Sequence, residues 1–298
     1  MSGRRPVTMD YATQSPFSDP GRHSDWLDGT PADFAALRDI ASGLVFHHWG
    51  NGDPTDHGFA PSRFPEIDLR YAEAMLGRLR ELNPSLAAER RPTERILGCC
   101  RDFTLLYVTL LRHHHIPARS RVGFGNYLVP GWHLDHVVAE VWDGSRWRLV
   151  DPQFAAANPL PLDVLHVPRD RFLVAADAWC ALRSGTLDPA TVVVSPDLSE
   201  PFLRGLPYAR HNLALDLAAL TKHEMILWDI WGSMNLDPAV SDTDALRADS
   251  VAAIDPDDSA ALRAAFDSPD FRIPPVIRTL SPTTRTLTEV PLPPASPA

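Results

Sequence analysis

The chain has 298 residues, 44% of them apolar and 22% charged, with a formal net charge of −10. That composition is globular, and the length suits one large or two small domains. An acidic balance lacks the Lys/Arg excess that neutralises phosphates or holds anionic membranes, so neither a nucleic-acid nor a membrane partner is expected. Lys222 is the one lysine among 28 basic residues, a bias read as codon usage before function. The three cysteines, Cys99, Cys100 and Cys180, do not make a disulfide framework, and the first two are adjacent, a poor geometry for a bridge. The first ten residues carry basic groups without an apolar stretch, and no apolar run reaches the length of a membrane span. A reducing, cytoplasmic setting is the expectation.

Residues 1–30, rich in Ser, Pro, Asp and Gly, read as a flexible lead-in. A helix is expected from Thr30-Pro31 through Phe34, Leu37 and Ile40 towards Phe46, with Thr30 as N-cap and Pro31 in the first turn. Gly50-Asn51-Gly52-Asp53-Pro54 breaks it. A second helix fits residues 69–82, where Tyr71, Met75, Leu79 and Leu82 share a face. The clearest helix spans residues 100–114, with Phe103, Leu106, Tyr107, Leu110, Leu111 and His114 in one stripe. The period then switches to two, predicting strands over 118–124, 136–142 and 146–150. Beyond about residue 166 the chain reads as mostly helical. A long helix over 206–231 carries Leu213, Leu217, Leu220, Leu227 and Trp231 on one face, and the last twenty residues read as an irregular tail. The organisation expected is a lead-in over 1–30, a catalytic core over 31–165 and a helical C-terminal region over 166–298.

Chemistry gathers in Gly98-Cys99-Cys100-Arg101-Asp102-Phe103, His136 and Asp151-Pro152. A cysteine at a helix start meets unpaired N–H groups and the positive end of the dipole, which favour thiolate over thiol. A thiolate attacks carbonyl carbon, and the same N–H groups can hold the oxyanion that forms. If Gly144-Ser145 is a two-residue hairpin loop, facing residues sum to 289, as in the pair Asp143 and Arg146. Trp142 then faces Trp147, and Asp151 becomes the diagonal neighbour of His136 on one face of the sheet. A three-residue loop would throw Asp151 to the other face. In the first register Asp151 orients the imidazole and His136 serves Cys100 as base and later as acid.

The run Gly98-Cys99-Cys100-Arg101-Asp102-Phe103 resembles the nucleophile motif of the transglutaminase-like superfamily. Ile116-Pro117-Ala118-Arg119 resembles that family's helix-to-strand connection, and His136 with Glu140-Val141, Trp147 and Asp151-Pro152 its His and Asp segments. The resemblance covers about residues 90–155. It implies an α+β, papain-like core, a nucleophile helix packed on an antiparallel sheet, followed by the C-terminal helical extension. It implies Cys100 as nucleophile, His136 as base and Asp151 as orienter, acting on a peptide-like or small-molecule amide or thioester. It does not separate hydrolysis from transfer to an amine, nor name an oligomeric state. Two positions depart from the family pattern. His115 stands where a glycine usually precedes Ile-Pro-Ala-Arg, and Val138 where an aromatic residue usually follows the His by two.

Plainer readings attach to the remaining residues. Cys99 is expected to pack beside the cleft and Cys180 to lie in the core. His113, His114 and His115 point about 100° apart on a helix and do not converge on one ion, so no metal and no cofactor is expected. His133 reads as a loop polar group. Papain-like sites take an oxyanion donor from an upstream segment, for which His47, His48, Trp49 and Asn51 are available. An exposed helix end is the expectation there. Arg101 binds a substrate carboxylate or pairs with a neighbour. Asp216, Glu224 and Asp229 read as a solvated helix face or salt-bridge partners, and Trp228 and Trp231 as packing. The alternatives to a thiol enzyme are a catalytically silent scaffold on the same fold and a metal enzyme built on the histidines.

Overall fold

The computed structural model describes residues 9–155 and 160–293. In chain order its regular elements begin with α1 (Phe34–Leu44), β1 (Val45–His47), α2 (Ala72–Leu82), β2 (Ile96–Gly98) and α3 (Cys100–His113). There follow β3 (Ala118–Gly125), β4 (His133–Trp142), β5 (Trp147–Val150), β6 (Phe172–Val174), α4 (Ala175–Arg183) and β7 (Val192–Val193). The chain ends with α5 (Gly205–Leu220), β8 (Asp229–Ile230), α6 (Asp242–Ala252), α7 (Ser259–Phe266), β9 (Val276–Leu280) and β10 (Leu287–Pro291).

A five-stranded sheet runs β5-β4-β3-β6, antiparallel throughout, with β7 added parallel to the start of β4. The turn between β4 and β5 is the two-residue form: Asp143 N–H donates to Arg146 O at 3.1 Å, and Gly144 takes φ +96°. Trp142 faces Trp147 and Ala139 faces Val150, so the pairing sum is 289. The two indole rings meet edge-on at 5.6 Å. Packed on this sheet, α3 puts Phe103, Leu106, Tyr107, Leu110 and Leu111 into a core shared with Val137, Ala139 and Val141 of β4. Thr104 Oγ1 donates to Val137 O at 2.9 Å, fixing the helix over that strand. After α3, His115 takes φ +56°, the left-handed conformation a glycine would adopt more easily, and Ile116 N–H closes on Leu111 O.

The far side of α3 is also covered, and residues 9–30 do much of the covering. Tyr11, Phe17 and Leu27 are buried, Gln14 Nε2 donates to Thr109 O, and Thr109 Oγ1 donates to Ser18 O. The expected flexible lead-in is therefore packed structure over these residues. Its aromatic side chains outweigh the polar composition from which flexibility was read. Residues 1–8 lie outside the described residues. The cap of α1 also differs: Asp33, not Thr30, accepts from Ala36 N, while Thr30 Oγ1 turns back to Leu27 O.

The C-terminal region mixes helices with short strands. Helix α5 stops at Leu220 because Lys222 takes φ +65° and His223 N–H folds back onto Ala218 O, so the helix expected to reach Trp231 ends early. Glu224 and Asp229 lie beyond it, and with Asp216 on α5 they form buried ion pairs to Arg112, Arg70 and Arg121. Trp228 and Trp231 spend their indole N–H groups on Asp68 and on Phe271 O. The expected irregular tail holds a hairpin, in which β10 pairs β9. Cys180 is exposed, since the outward side of α4 does not face the core. No helix among the described residues is long and apolar enough to cross a membrane.

Candidate active site

Cys100 is the first residue of α3, with Cys99 as the extended N-cap. Cys99 N–H donates to Asp102 Oδ2 at 2.8 Å, which ties the loop to the first helical turn and places a carboxylate at the favourable end of the dipole. Gly98 fits under this turn because a Cβ there would lie 2.6 Å from Asp102 Oδ2 and 2.9 Å from Val45 Cγ1. The neighbouring Arg101 is buried. It donates to the carbonyls of Arg70 and Glu224 and to Asp102 Oδ1 at 3.0 Å, so it pairs with its surroundings and is not offered to a substrate.

His136 and Asp151 arrive from the sheet. The β4–β5 register carries Asp151 just past the end of β5, where its Oδ2 lies 2.8 Å from His136 Nε2. The ring's Nδ1 is left for Cys100. Two further donors hold the carboxylate: Tyr127 Oη on Oδ2 at 2.6 Å and Gln153 N–H on Oδ1 at 3.1 Å. Tyr127 and Phe172 stand edge-on to the imidazole, with ring centroids 6.1 and 6.3 Å away. Asp151 is wholly buried, and Cys100 and His136 retain 4% and 2% exposure.

A second histidine lies beside this group. Strand β1 pairs parallel with β2 so that His47 lies beside Gly98, two residues before the thiol. His47 Nδ1 accepts from Gly50 N–H at 2.9 Å and Trp49 N–H at 3.2 Å, so the proton of the neutral ring sits on Nε2 and is free to be donated. That ring is among the groups that lower the Cys100 pKa. Expected as an exposed helix end, this segment instead begins as a short strand that sets His47 beside Gly98. His48 points elsewhere. Its Nδ1 meets Gly98 O at 3.0 Å, and burial pushes its pKa down to about 4, so the ring is neutral.

The electrostatics favour an ion pair. The Cys99 thiol, then the imidazoles of His136 and His47, donate to the Cys100 sulfur and hold its pKa well below the ordinary thiol value, against burial. Cys99 shifts the other way because its proton is engaged by Cys100 and its thiol is buried. Burial alone would lower His136. Asp151 first and Cys100 second outweigh it and push the imidazolium up to about 10. The arrangement favours thiolate and imidazolium, a pair able to add to a carbonyl and then protonate what leaves.

Other predicted positions are occupied by structural contacts. His113 Nε2 meets Asp28 at 3.0 Å, His114 Nε2 meets Thr30 Oγ1 at 2.8 Å, and His133 Nδ1 meets Thr191 Oγ1 at 3.2 Å. Among the described residues no group of three or more His, Cys, Asp or Glu is arranged to hold a metal ion. Tyr127 carried no sequence signal, because it lies in the β3–β4 connection and reaches Asp151 only through the fold.

The fold and site define a papain-like α+β core, with a nucleophile helix on an antiparallel sheet. Residues 80–152 match the family model of the transglutaminase-like superfamily, so the resemblance read from the motif is shown for this segment. That match supports cysteine-based catalysis in general terms. No curated protein matches the chain. Among solved structures, a candidate cysteine protease from Cytophaga hutchinsonii is similar, at 17% identity and a TM-score of 0.34. The similarity covers 59% of this chain and 50% of that one, so the chain spans about half the length of this neighbour.

Proposed function

We propose that the protein is a cysteine-dependent acyl enzyme acting on an amide or thioester of a peptide-like or small-molecule substrate. The Cys100 thiolate adds to the carbonyl carbon, and the oxyanion is held by the Cys100 N–H at the start of α3 and by His47 Nε2–H. Collapse breaks the C–N or C–S bond while His136 gives its proton to the leaving nitrogen or sulfur, leaving a thioester on Cys100. Water or an amine then attacks that thioester, His136 takes the proton, and the thiolate leaves again. Asp151, fixed by Tyr127 and the Gln153 N–H, keeps the imidazole oriented and stabilises its charged form.

The observation that carries this reading is the convergence of Cys100, His136 and Asp151 from α3, β4 and the end of β5, sealed by a 2.8 Å contact between the last two. Mass spectrometry of the protein mixed with a library of amides and thioesters tests it. An acyl adduct on Cys100, absent from Cys100→Ala, is expected. Its clearance by water or by added amine distinguishes hydrolysis from transfer. No adduct with any donor, together with Cys100 alkylation no faster than in the denatured chain, would leave a silent scaffold.

A further inference from the structure

Asp135 immediately precedes His136 on β4, so its side chain leaves the other face of the strand. There it meets α5. Tyr208 Oη donates to Asp135 Oδ2 at 2.7 Å, and Asn212 Nδ2 donates to Oδ1 at 2.8 Å. The buried carboxylates Asp102, Glu140, Asp216, Glu224 and Asp229 each face an arginine, and Asp151 faces His136. Asp135 is different, because among the described residues only neutral groups hydrogen-bond its carboxylate.

Asn212 adds an independent sign. Its Nδ2 is turned to two acceptors, Asp135 Oδ1 and Gly123 O, which fixes the orientation of the amide. Its Oδ1 is then left, fully buried, without a hydrogen-bond partner among the described residues. A buried acceptor in that state calls for a donor. Asp135 is half-buried, and its bonds to Tyr208 and Asn212 are only partly shielded from solvent. The nucleophile is close. After burial, the charge on Cys100 is what raises Asp135, to about 7, and the same charge reaches Tyr208.

We propose that Asp135, Tyr208 and Asn212 form a subsite for a primary ammonium group of the substrate handled at Cys100. Asp135 is the counter-ion, and Asn212 Oδ1 and Tyr208 Oη are the further acceptors. The three N–H donors of an ammonium suit three separate acceptors better than the planar fork of a guanidinium does. The assignment rests on the thiol acyl reading above and narrows it to an amine-bearing donor or an amine acceptor.

Two measurements test it at pH 7, each read at Cys100 by peptide mass spectrometry. In the first, the rate of aminoethylation by 2-bromoethylammonium is divided by the rate of carbamidomethylation by iodoacetamide. Asp135→Asn is expected to lower this ratio about tenfold, the scale of a lost charged hydrogen bond. The second uses the unaltered protein, so it does not depend on how the variant folds. Propylammonium is expected to slow carbamidomethylation saturably, and propanol is not. A ratio unmoved by Asp135→Asn, or equal protection by propylammonium and propanol, overturns the subsite while Cys100 still reacts as a tuned thiolate. Reaction with neither reagent faster than in the urea-denatured chain overturns the thiol chemistry itself, and the subsite with it. An amine acceptor is distinguished from an amine-bearing donor by adding propylammonium to the acyl-enzyme. Saturable shortening of its lifetime, in which the bound ammonium gives one proton to Asp135, attacks as the neutral amine and loses a second proton to His136, marks the acceptor, and inhibition of acylation alone marks the donor.

Discussion

His136 Nε2 and Asp151 Oδ2 are 2.8 Å apart across fifteen residues of chain, and a two-residue turn sets that distance. One residue more in the Gly144-Ser145 loop would move Asp151 to the opposite face of the sheet. The carboxylate serves the imidazole by charge as much as by position. Asp151→Asn is therefore expected to preserve the fold and lower the acylation rate by roughly 10³–10⁴, the scale seen when such an orienter loses its charge. Single-turnover kinetics with a thioester check this. A loss below tenfold would remove Asp151 from the mechanism.

The ion pair predicts an unusual pH profile. With the Cys100 pKa held well down and His136 raised to about 10, iodoacetamide should modify Cys100 at pH 5–6, where an ordinary thiol is nearly inert. His136→Gln should move the inflection of that profile upward. The same shift bears on stability. His136 has a folded-state pKa above its unfolded value, so its contribution is complete below the unfolded value and declines as pH rises through about 10. Denaturation midpoints between pH 6 and pH 10.5 check the sign.

His47 is expected to act on the oxyanion. Removing one such donor typically costs about 10²–10³ in rate. His47→Ala should show a loss of that size in acylation, and His47→Gln, which keeps a side-chain N–H, should restore part of it. Equal rates for the two variants would make His47 a packing residue.

Glu140 anchors a different part of the molecule. Buried between Arg119 and Arg121, with Arg169 also on it, its carboxyl is held down to about 2 by the three guanidinium groups in spite of burial. Glu140→Ala would strand buried positive charge and should cost about 3–5 kcal/mol. Urea unfolding measures it. The folded pKa is depressed here, so the contribution is present above the unfolded carboxyl value and is lost as pH falls through about 2.

Gly123 faces His136 in the β3–β4 ladder and Val174 in the β3–β6 ladder. A Cβ there would lie 2.1 Å from Leu173 O. Gly123→Ala should push β6 away, displace Phe172 from the edge of the imidazole and destabilise the protein, which thermal unfolding and Cys100 alkylation would both report.

The parts of the site readable in the sequence were those fixed locally. The helix start at Cys100 follows from a few adjacent residues, whereas Gly144-Ser145 marks a turn but leaves its length open, and the structure selects the two-residue form with its pairing sum of 289. His115, which stands where the resembled family has glycine, takes φ +56°, a conformation glycine adopts more easily. His47 was underrated because its role depends on a parallel pairing with β2, and the chain between the two strands gives no sign of it. Tyr127, Asp135, Tyr208 and Asn212 carry no motif, and only the fold brings them to their partners. Residues 9–30 were misjudged because composition counts their polar groups and misses where Tyr11, Phe17 and Leu27 go. Cys180 was misplaced because an alanine-rich helix gives little indication of which side faces inward.

Helix α5 lies outside residues 80–152 yet supplies Tyr208 and Asn212 at Asp135 and Asp216 at Arg121. The matched segment and the C-terminal region therefore share one wall. Truncation at residue 155 would strip Asp135 and Arg121 of these buried partners as well as shorten the polymer.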